Sequence, residues 1–439
     1  MASMMELINE LWFLKREIVS DDYDKALRRL ADELPMIIHE YPSGTPVWTW
    51  NVPEKWTCHE AYLKTLDGKR LLDYNDHPLH VVSYSLPFDG EVSRDELLEH
   101  LHVHPRLPDA IPFVFKYYQR DWGLCAPQTL RDSLTEDRYR VVIRSSFEPG
   151  SLKVGEIIIP GEREECFVLA AHLCHPAMVN DDLAGVVVAI DVARALLDGP
   201  KPKYTYRFLI LPETIGSVSY LSHNEDLIPN MVGGLFLEML GNDAPLALQQ
   251  SMQPENQVDK CLAAALSGVT KDSFVGPYRT IISNDERQFN APGVRVPMLS
   301  LSRVENPASP NSHFEPYPEY HSSADTPDIV TQERLDSARD AVIAMLQAFE
   351  RNQYVVNKFK GEVFASGQGI WIDYTVNPEG HRRLFEIMER CDGESTVADI
   401  AHDLSLSFQS VWEIIAKFEQ KGLVSFSDTP ASTDPHKFD

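Results

Sequence analysis

Cys166-Phe167-Val168-Leu169-Ala170-Ala171-His172 is a short apolar run that stops on a histidine. Its length and composition are those of a strand buried in a sheet, not of a helix. Asn180-Asp181-Asp182-Leu183-Ala184-Gly185 follows at the mouth of a helix read from about Ala184 to Leu197 and closed by Gly199-Pro200. A second buried strand, Tyr206 to Leu211, ends at Pro212-Glu213, and a third, Gly234 to Leu237, ends at Glu238. Three polar groups thus fall at the carboxyl ends of three apolar strands, where open α/β sheets bind ligands.

Outward from this core, strands are read at Arg140 to Arg144 and Gly155 to Ile159, separated by Pro149-Gly150. The β, turn, α, β series that follows is the pattern of an open α/β sheet. Before it lies a stretch dense in Trp, Tyr, Pro and His, with alternating segments such as Leu79-His80-Val81-Val82-Ser83-Tyr84, which reads as a small β-rich unit inserted at 46–139. The α/β domain is assigned to 1–45 and 140–360. Past Gly361, Gly367 and Gly369, three short helical patterns appear: Leu384, Ile387 and Met388; Val397, Ile400 and Leu404 after a Thr396 cap; and Val411, Ile414, Ile415 and Phe418. Gly422 to Phe426 then reads as a strand, so 370–430 has a winged-helix layout.

The 439 residues carry 40 Lys plus Arg against 66 Asp plus Glu, a formal net charge of -26, and such a field repels polyanions. Nucleic acid and anionic membrane are therefore not expected partners. Six cysteines are scattered without a CxxC pair, which suits thiols in a reducing compartment. Met1 to Arg29 shows helical periodicity instead of a secretion signal, and no apolar run approaches the roughly 20 residues of a membrane span. A cytoplasmic protein, and a homo-oligomer, is expected.

Imidazoles at His172 and His175 beside the carboxylate of Asp181 form a metal-site arrangement, although an N-cap aspartate next to loop histidines explains the same residues. Glu213 is a candidate general base for activating water; a solvated strand-end glutamate is the plainer reading. Glu238 has apolar neighbours on both sides, and a carboxylate there wants a cation. Tyr320-His321-Ser322-Ser323-Ala324-Asp325-Thr326-Pro327 adds another histidine on a polar loop, with Asp325-Thr326-Pro327 as a helix-start signal.

Taken in this order, the segments His172, Asn180 to Gly185, Glu213-Thr214, Glu238 to Gly241 and Tyr320 to Thr326 resemble the M28 family of zinc aminopeptidases, over roughly 140–350 plus the N-terminal helices. The whole chain is similar to bacterial aminopeptidase-like proteins with an inserted β-domain and a C-terminal winged helix. The resemblance implies an α/β fold with a zinc-exopeptidase-like mixed sheet flanked by helices. It implies Asp181 as a bridging ligand, His172 and Glu238 completing one metal site, His321 serving the other, Glu213 as general base and Tyr320 as a donor to the oxyanion. Two positions depart from the family. Thr214 replaces a glutamate ligand of the second metal, so one tightly held zinc is expected instead of two, and Cys174 replaces an aspartate that orients His172, which leaves His172 or His175 as the ligand. Asp285 to Phe289 matches a substrate-side loop, with Arg287 and Glu286 as substrate-binding residues; a structural ion pair is the alternative for Arg287.

The function expected is zinc-dependent hydrolysis of an amide or peptide bond in a short peptide or aminoacyl amide. A winged-helix DNA-binding regulator and a metal-free pseudo-enzyme are the alternatives. Between Val376 and Pro430, five Lys/Arg stand against ten Asp/Glu, which argues against the regulator.

Overall fold

The apolar run at Cys166–His172 is the axis of the fold. In a computed structural model of the protein, which describes residues 1–305 and 315–431, all seven of its residues are buried. It lies between Thr205–Leu211 and Met231–Glu238, parallel to both. Met298–Arg303 adds a fourth parallel strand beside Met231–Glu238. Antiparallel strands flank this centre: Ser151–Ile159 and then Ile37–Pro42 beside Thr205–Leu211, and Leu246–Gln249 beside Met298–Arg303. The sheet is mixed, as expected.

From Cys166–His172 the chain crosses one way to Thr205–Leu211 and next reaches Met231–Glu238 on the other side. This reversal opens a crevice at the strands' carboxyl ends. Register sets what faces it: His172 lies opposite Leu211, two residues before Glu213, and Glu238 lies opposite Ser302. Helix Leu183–Asp198 covers the sheet and stops at Gly199, as the sequence predicts. It buries Leu183, Val186, Val187, Val188, Ile190 and Val192, each side chain contributing roughly 1.5–3 kcal/mol. Met4–Leu11, with a Ser3–Glu6 capping box, packs against it.

A separate four-stranded antiparallel sheet runs in the order Arg70–Asp73, Lys55–Thr65, Arg138–Glu148, Phe88–Ser93. The strand read at Arg140 to Arg144 is present, but within Arg138–Glu148, whose long pairing with Lys55–Thr65 carries this sheet past residue 139 to Glu148. Leu79 to Tyr84 is not a strand. Pro78–His80 is a 3-10 turn, and only isolated bridges follow at Val81 and Ser83. All six residues from Leu79 to Tyr84 are buried, so the alternation records no water-facing side, and Tyr84 takes a positive φ that breaks an extended run.

The chain divides into Met1–Gln249 with Gly276–Arg339, and Gln250–Val275 with Asp340–Asp439. The second unit holds Gln257–Val269 and three helices where the periodicity places them: Pro378–Met388, Val397–Asp403 and Phe408–Gln420. Thr396 caps the second of these in a capping box with Asp399. Val424–Ser427 pairs with Tyr354–Asn357, which also pairs with Asp392–Thr396. The last strand is too polar in sequence to be read as one.

Candidate metal centre and active site

Asn180 to Gly185 divides its labour residue by residue. Asp182 caps the helix by accepting the Gly185 N–H at 3.0 Å, and it also receives the N–H of Met239 at 2.9 Å and of His172 at 3.2 Å. The N-cap reading therefore belongs to Asp182, which leaves Asp181 free. Asn180 Oδ1 accepts the Gly241 N–H at 2.8 Å and so ties this loop to the end of the Glu238 strand. At Gly185 a Cβ would lie 2.4 Å from Asp182 Oδ1 and 2.5 Å from the Leu237 carbonyl, so no other residue fits.

Asp181 sits among the predicted ligands. Its Oδ1 is 3.0 Å from His172 Nε2 and its Oδ2 is 3.0 Å from His321 Nε2, while Glu238 Oε1 lies 3.9 Å from His172 Nε2. His172, Asp181 and Glu238 each bring a donor atom within 4.8 Å of the others, and so do His175, Asp181 and His321. His172, His175, Asp181 and Glu238 are all at most 1% exposed. Close as they lie to one another, Nε2 of both histidines, Asp181 Oδ2 and Glu238 Oε2 make no hydrogen bond of good geometry. Buried polar atoms are rarely left so. A nitrogen and carboxylate set of this kind suits zinc, and it fits these orphaned atoms.

The titration behaviour has the same cause. Burial pulls the His172 imidazole down, but its contacts with Asp181, Cys174 and Glu238 more than reverse this and hold it well above its ordinary value. Asp181 stays well below the carboxylate range despite burial, because of His175, His172 and His321. The cluster favours positive charge at its centre. Burial above all drives His175 well below its ordinary value and keeps it neutral, the form that ligates.

Glu213 borders the cluster, with Oε2 3.5 Å from His175 Nε2, and its side chain is 27% exposed. Its backbone N–H donates to Cys174 Sγ at 3.2 Å. Thr214 points elsewhere: its Oγ1 accepts from Arg287 Nη2 at 3.3 Å. Glu213, Thr214 and Arg287 line a cavity of about 440 Å³ together with Trp50, Phe115, Tyr117 and Tyr118. Arg287 also donates through Nε to the Asn284 carbonyl at 2.6 Å, and no carboxylate pairs with it among the described residues. Glu286 takes a different place from the one expected. It is fully buried, receives Gln249 Nε2 at 3.2 Å and the Asn284 N–H at 2.9 Å, and is pushed up to about 8 by burial. Asn284 Nδ2 in turn donates to Glu238, so Glu286 supports a ligand from below instead of facing the cavity. Tyr320 stacks on His321 with ring centroids 3.9 Å apart. Burial, then the charges of Asp181, Glu213 and Glu238, holds its phenol well above the ordinary range, so it remains a protonated donor.

The chain has matches among known proteins. A domain of unknown function, DUF4910, matches residues 5–352. The chain belongs to the DUF4910 family. A relative from Clostridium acetobutylicum, named for polysaccharide biosynthesis and an aminopeptidase-like domain, is 33% identical over 417 residues, 93% of each chain. A crystal structure from the same organism, named as a peptidase, shares 31% identity with a TM-score of 0.84, covering 97% of this chain and 96% of that one. A zinc aminopeptidase from Bacillus subtilis has a TM-score of 0.59 at 14% identity, over 78% of this chain and 93% of that one, a likeness of fold. The fold of this DUF4910 chain is thus that of the M28-type zinc aminopeptidases.

Three supports of the DUF4910 site have no such role in the reading of the sequence. Asp325 is not a helix cap: it is buried and accepts the N–H of Asn180 at 2.8 Å and of Asp181 at 3.1 Å, with Tyr317 Oη at 2.8 Å. Arg16 is fully buried and donates to the carbonyls of Leu173 and Met178, each at 2.8 Å, and of Trp12 at 3.0 Å, clamping the loop that carries His175. Phe113, from the segment read as inserted, donates its N–H to the His321 carbonyl at 2.8 Å and sets its ring 4.8 Å from His175. The spare aspartate in the His321 motif is a signal that could have exposed the first. The other two depend on contacts between segments far apart in the chain. His175, Thr214, Met239 and His321 all have positive φ, an arrangement that non-glycine residues adopt mainly where surrounding structure enforces it.

Proposed function

We propose that this chain is a zinc-dependent hydrolase that cleaves an amide or peptide bond of a short peptide or aminoacyl amide. The observation that carries the reading is the convergence, beside Glu213, of buried imidazole and carboxylate donors that lie within 4.8 Å of one another and make no well-aligned hydrogen bonds through Nε2, Asp181 Oδ2 or Glu238 Oε2. His172, Asp181 and Glu238 would hold the ion, and a bound zinc supplies Lewis acidity that polarises a carbonyl and acidifies water. Glu213, partly open to the cavity, takes the proton of the attacking water and passes it to the leaving amine. The Tyr320 hydroxyl donates to the developing oxyanion. Arg287, held by Asn284 and Thr214 and without a carboxylate partner, receives a substrate carboxylate.

The aromatic wall of Trp50, Phe115, Tyr117 and Tyr118 supports a covering role for the inserted segment and suits a flat or apolar substrate body. Six buried, unbridged cysteines support a reducing, cytoplasmic setting. No helix among the described residues is long and apolar enough to cross a membrane. The test is to strip the protein of metal, reload it with zinc and follow amine release from aminoacyl amides and dipeptides. N-acylated amino sugars join the panel because of the name that the clostridial relative carries. Zinc-restored hydrolysis of at least one class is expected. Full zinc loading with no hydrolysis across the panel would refute the reaction, and failure to bind zinc would refute the metal.

A further inference from the structure

We infer that His175 takes the place of the glutamate that Thr214 replaces, its Nε2 ligating a second ion together with Asp181 and His321, and that Cys174 aims His172 and His175 at the metal centre. This rests on the zinc reading above and adds to it a ligand set. Among the described residues, three groups of donors lie close enough to hold an ion: His172 with Asp181 and Glu238, His175 with Asp181 and His321, and His172 with Cys174 and His175. They cannot all be used, and the orphaned atoms choose among them.

The third group would take Nδ1 of both histidines and the Cys174 sulfur. It would leave His172 Nε2, His175 Nε2, Asp181 Oδ2 and Glu238 Oε2 buried without a metal and without a well-aligned hydrogen bond. The first two groups draw on Asp181 and Glu238 as well as on both histidines. They also account for Cys174. When Nε2 of a histidine ligates, its Nδ1 carries the hydrogen and needs an acceptor. The two Nδ1 atoms lie 3.2 Å apart, and two N–H groups cannot serve one another. Cys174 Sγ lies 3.8 Å from each and already receives the Glu213 N–H. The sulfur is the acceptor the two rings have in common. Cys174 therefore acts as a positioning residue that turns both Nε2 atoms inward, and it is not itself a ligand.

Thr214 has no part in the second set. Its hydroxyl is turned to Arg287, so the imidazole of His175 supplies the third donor beside Asp181 and His321. His175 is the residue held on both sides by the Arg16 clamp, at Leu173 and Met178, and its ring packs against Phe113. A ligand in a left-handed backbone conformation gains its fixed aim from such bracing.

The experiment is cobalt loading of the full chain, read by elemental stoichiometry and by the visible and near-ultraviolet spectrum. Wild type is expected to bind two ions without a sulfur-to-cobalt charge-transfer band. His175→Ala and His321→Ala should each bind one, with the spectrum of the remaining ion alike in the two variants. Two ions retained in His175→Ala, a single ion in wild type, or a strong sulfur-to-cobalt band would overturn the assignment. If His175→Ala does not fold, as judged by circular dichroism, the wild-type spectrum and His321→Ala still decide it. A wild-type chain that binds no ion at all would instead sink the zinc reading on which this one rests.

Discussion

The carboxylate of Asp325 accepts the backbone N–H of Asp181 at 3.1 Å, across 144 residues of chain. It also receives the Asn180 N–H and the Tyr317 hydroxyl, so the motif that carries His321 holds in place the loop that carries the shared ligand. A metal held at Asp181 would therefore depend on Asp325, a residue outside the proposed ligand set. Asp325→Ala should orphan buried N–H groups at about 1–3 kcal/mol each and weaken zinc binding by roughly 10-fold to 100-fold. Asp325→Asn, which keeps one acceptor oxygen, should lose less. Competitive chelation on both variants measures this, and wild-type affinity in Asp325→Ala would show that the loop keeps its shape unaided.

Glu213 borders the metal cluster and opens to the cavity, a position that separates proton transfer from metal binding. Glu213→Gln should retain its metal and lose turnover of any substrate by at least ~100-fold. Asp181→Ala should lose metal and activity together. Unchanged turnover in Glu213→Gln, measured at equal metal content, would move the base to another residue.

Glu17 provides a pH signature from a residue outside the proposed ligand and proton-transfer groups. Its carboxyl is buried, its Oε1 receives Ser83 Oγ at 2.6 Å and its Oε2 has no partner. Burial raises it from 4.5 to about 7, with the Ser83 bond opposing. Because the folded value lies above the unfolded one, the native state binds the extra proton between these limits. Its contribution is present in full below 4.5 and is lost as pH rises towards about 7. The loss is on the order of 3 kcal/mol. Glu17→Gln, which stays neutral, should gain stability over wild type at about pH 8 and match it at about pH 4. Urea unfolding of the two proteins at both values tests this; a constant difference would show that Glu17 titrates normally.

These three residues also show what the sequence discloses. Each central strand is a largely apolar run with a polar residue at or just past its end, so Cys166–His172, Thr205–Leu211 and Met231–Glu238, and His172, Glu213 and Glu238 that they deliver, could be read directly. Asp325 and Glu17 could not, because their roles depend on what folds against them. Glu286 misled for a related reason: the resemblance of Asp285 to Phe289 to a substrate-side loop places the segment but not which of its side chains turns inward to Asn284 and Gln249. Leu79 to Tyr84 alternates in polarity, but its polar members are buried too, so the pattern carried no information about a sheet face.

The C-terminal helices test the charge argument on its own. Phe408–Gln420 buries Phe408, Val411, Ile415 and Phe418, and leaves Gln409 and Ser410 on its outer side. Those two could touch a base edge, but no basic residue lies between Ser405 and Ala416 to hold the flanking phosphates. Gln409 is moreover engaged with Glu413 at 3.0 Å, a carboxylate that phosphate would repel. Across Val376 to Pro430 acidic residues outnumber basic ones ten to five. Nonspecific affinity comes from cations displacing counterions, and this segment has little to displace them with. The full chain should therefore show no binding to mixed-sequence duplex DNA at moderate salt, and only a trace at low salt. A gel-shift titration at both salt levels decides the point. Submicromolar binding at moderate salt would mean that the helix reads DNA despite its charge, and would return the regulator to consideration.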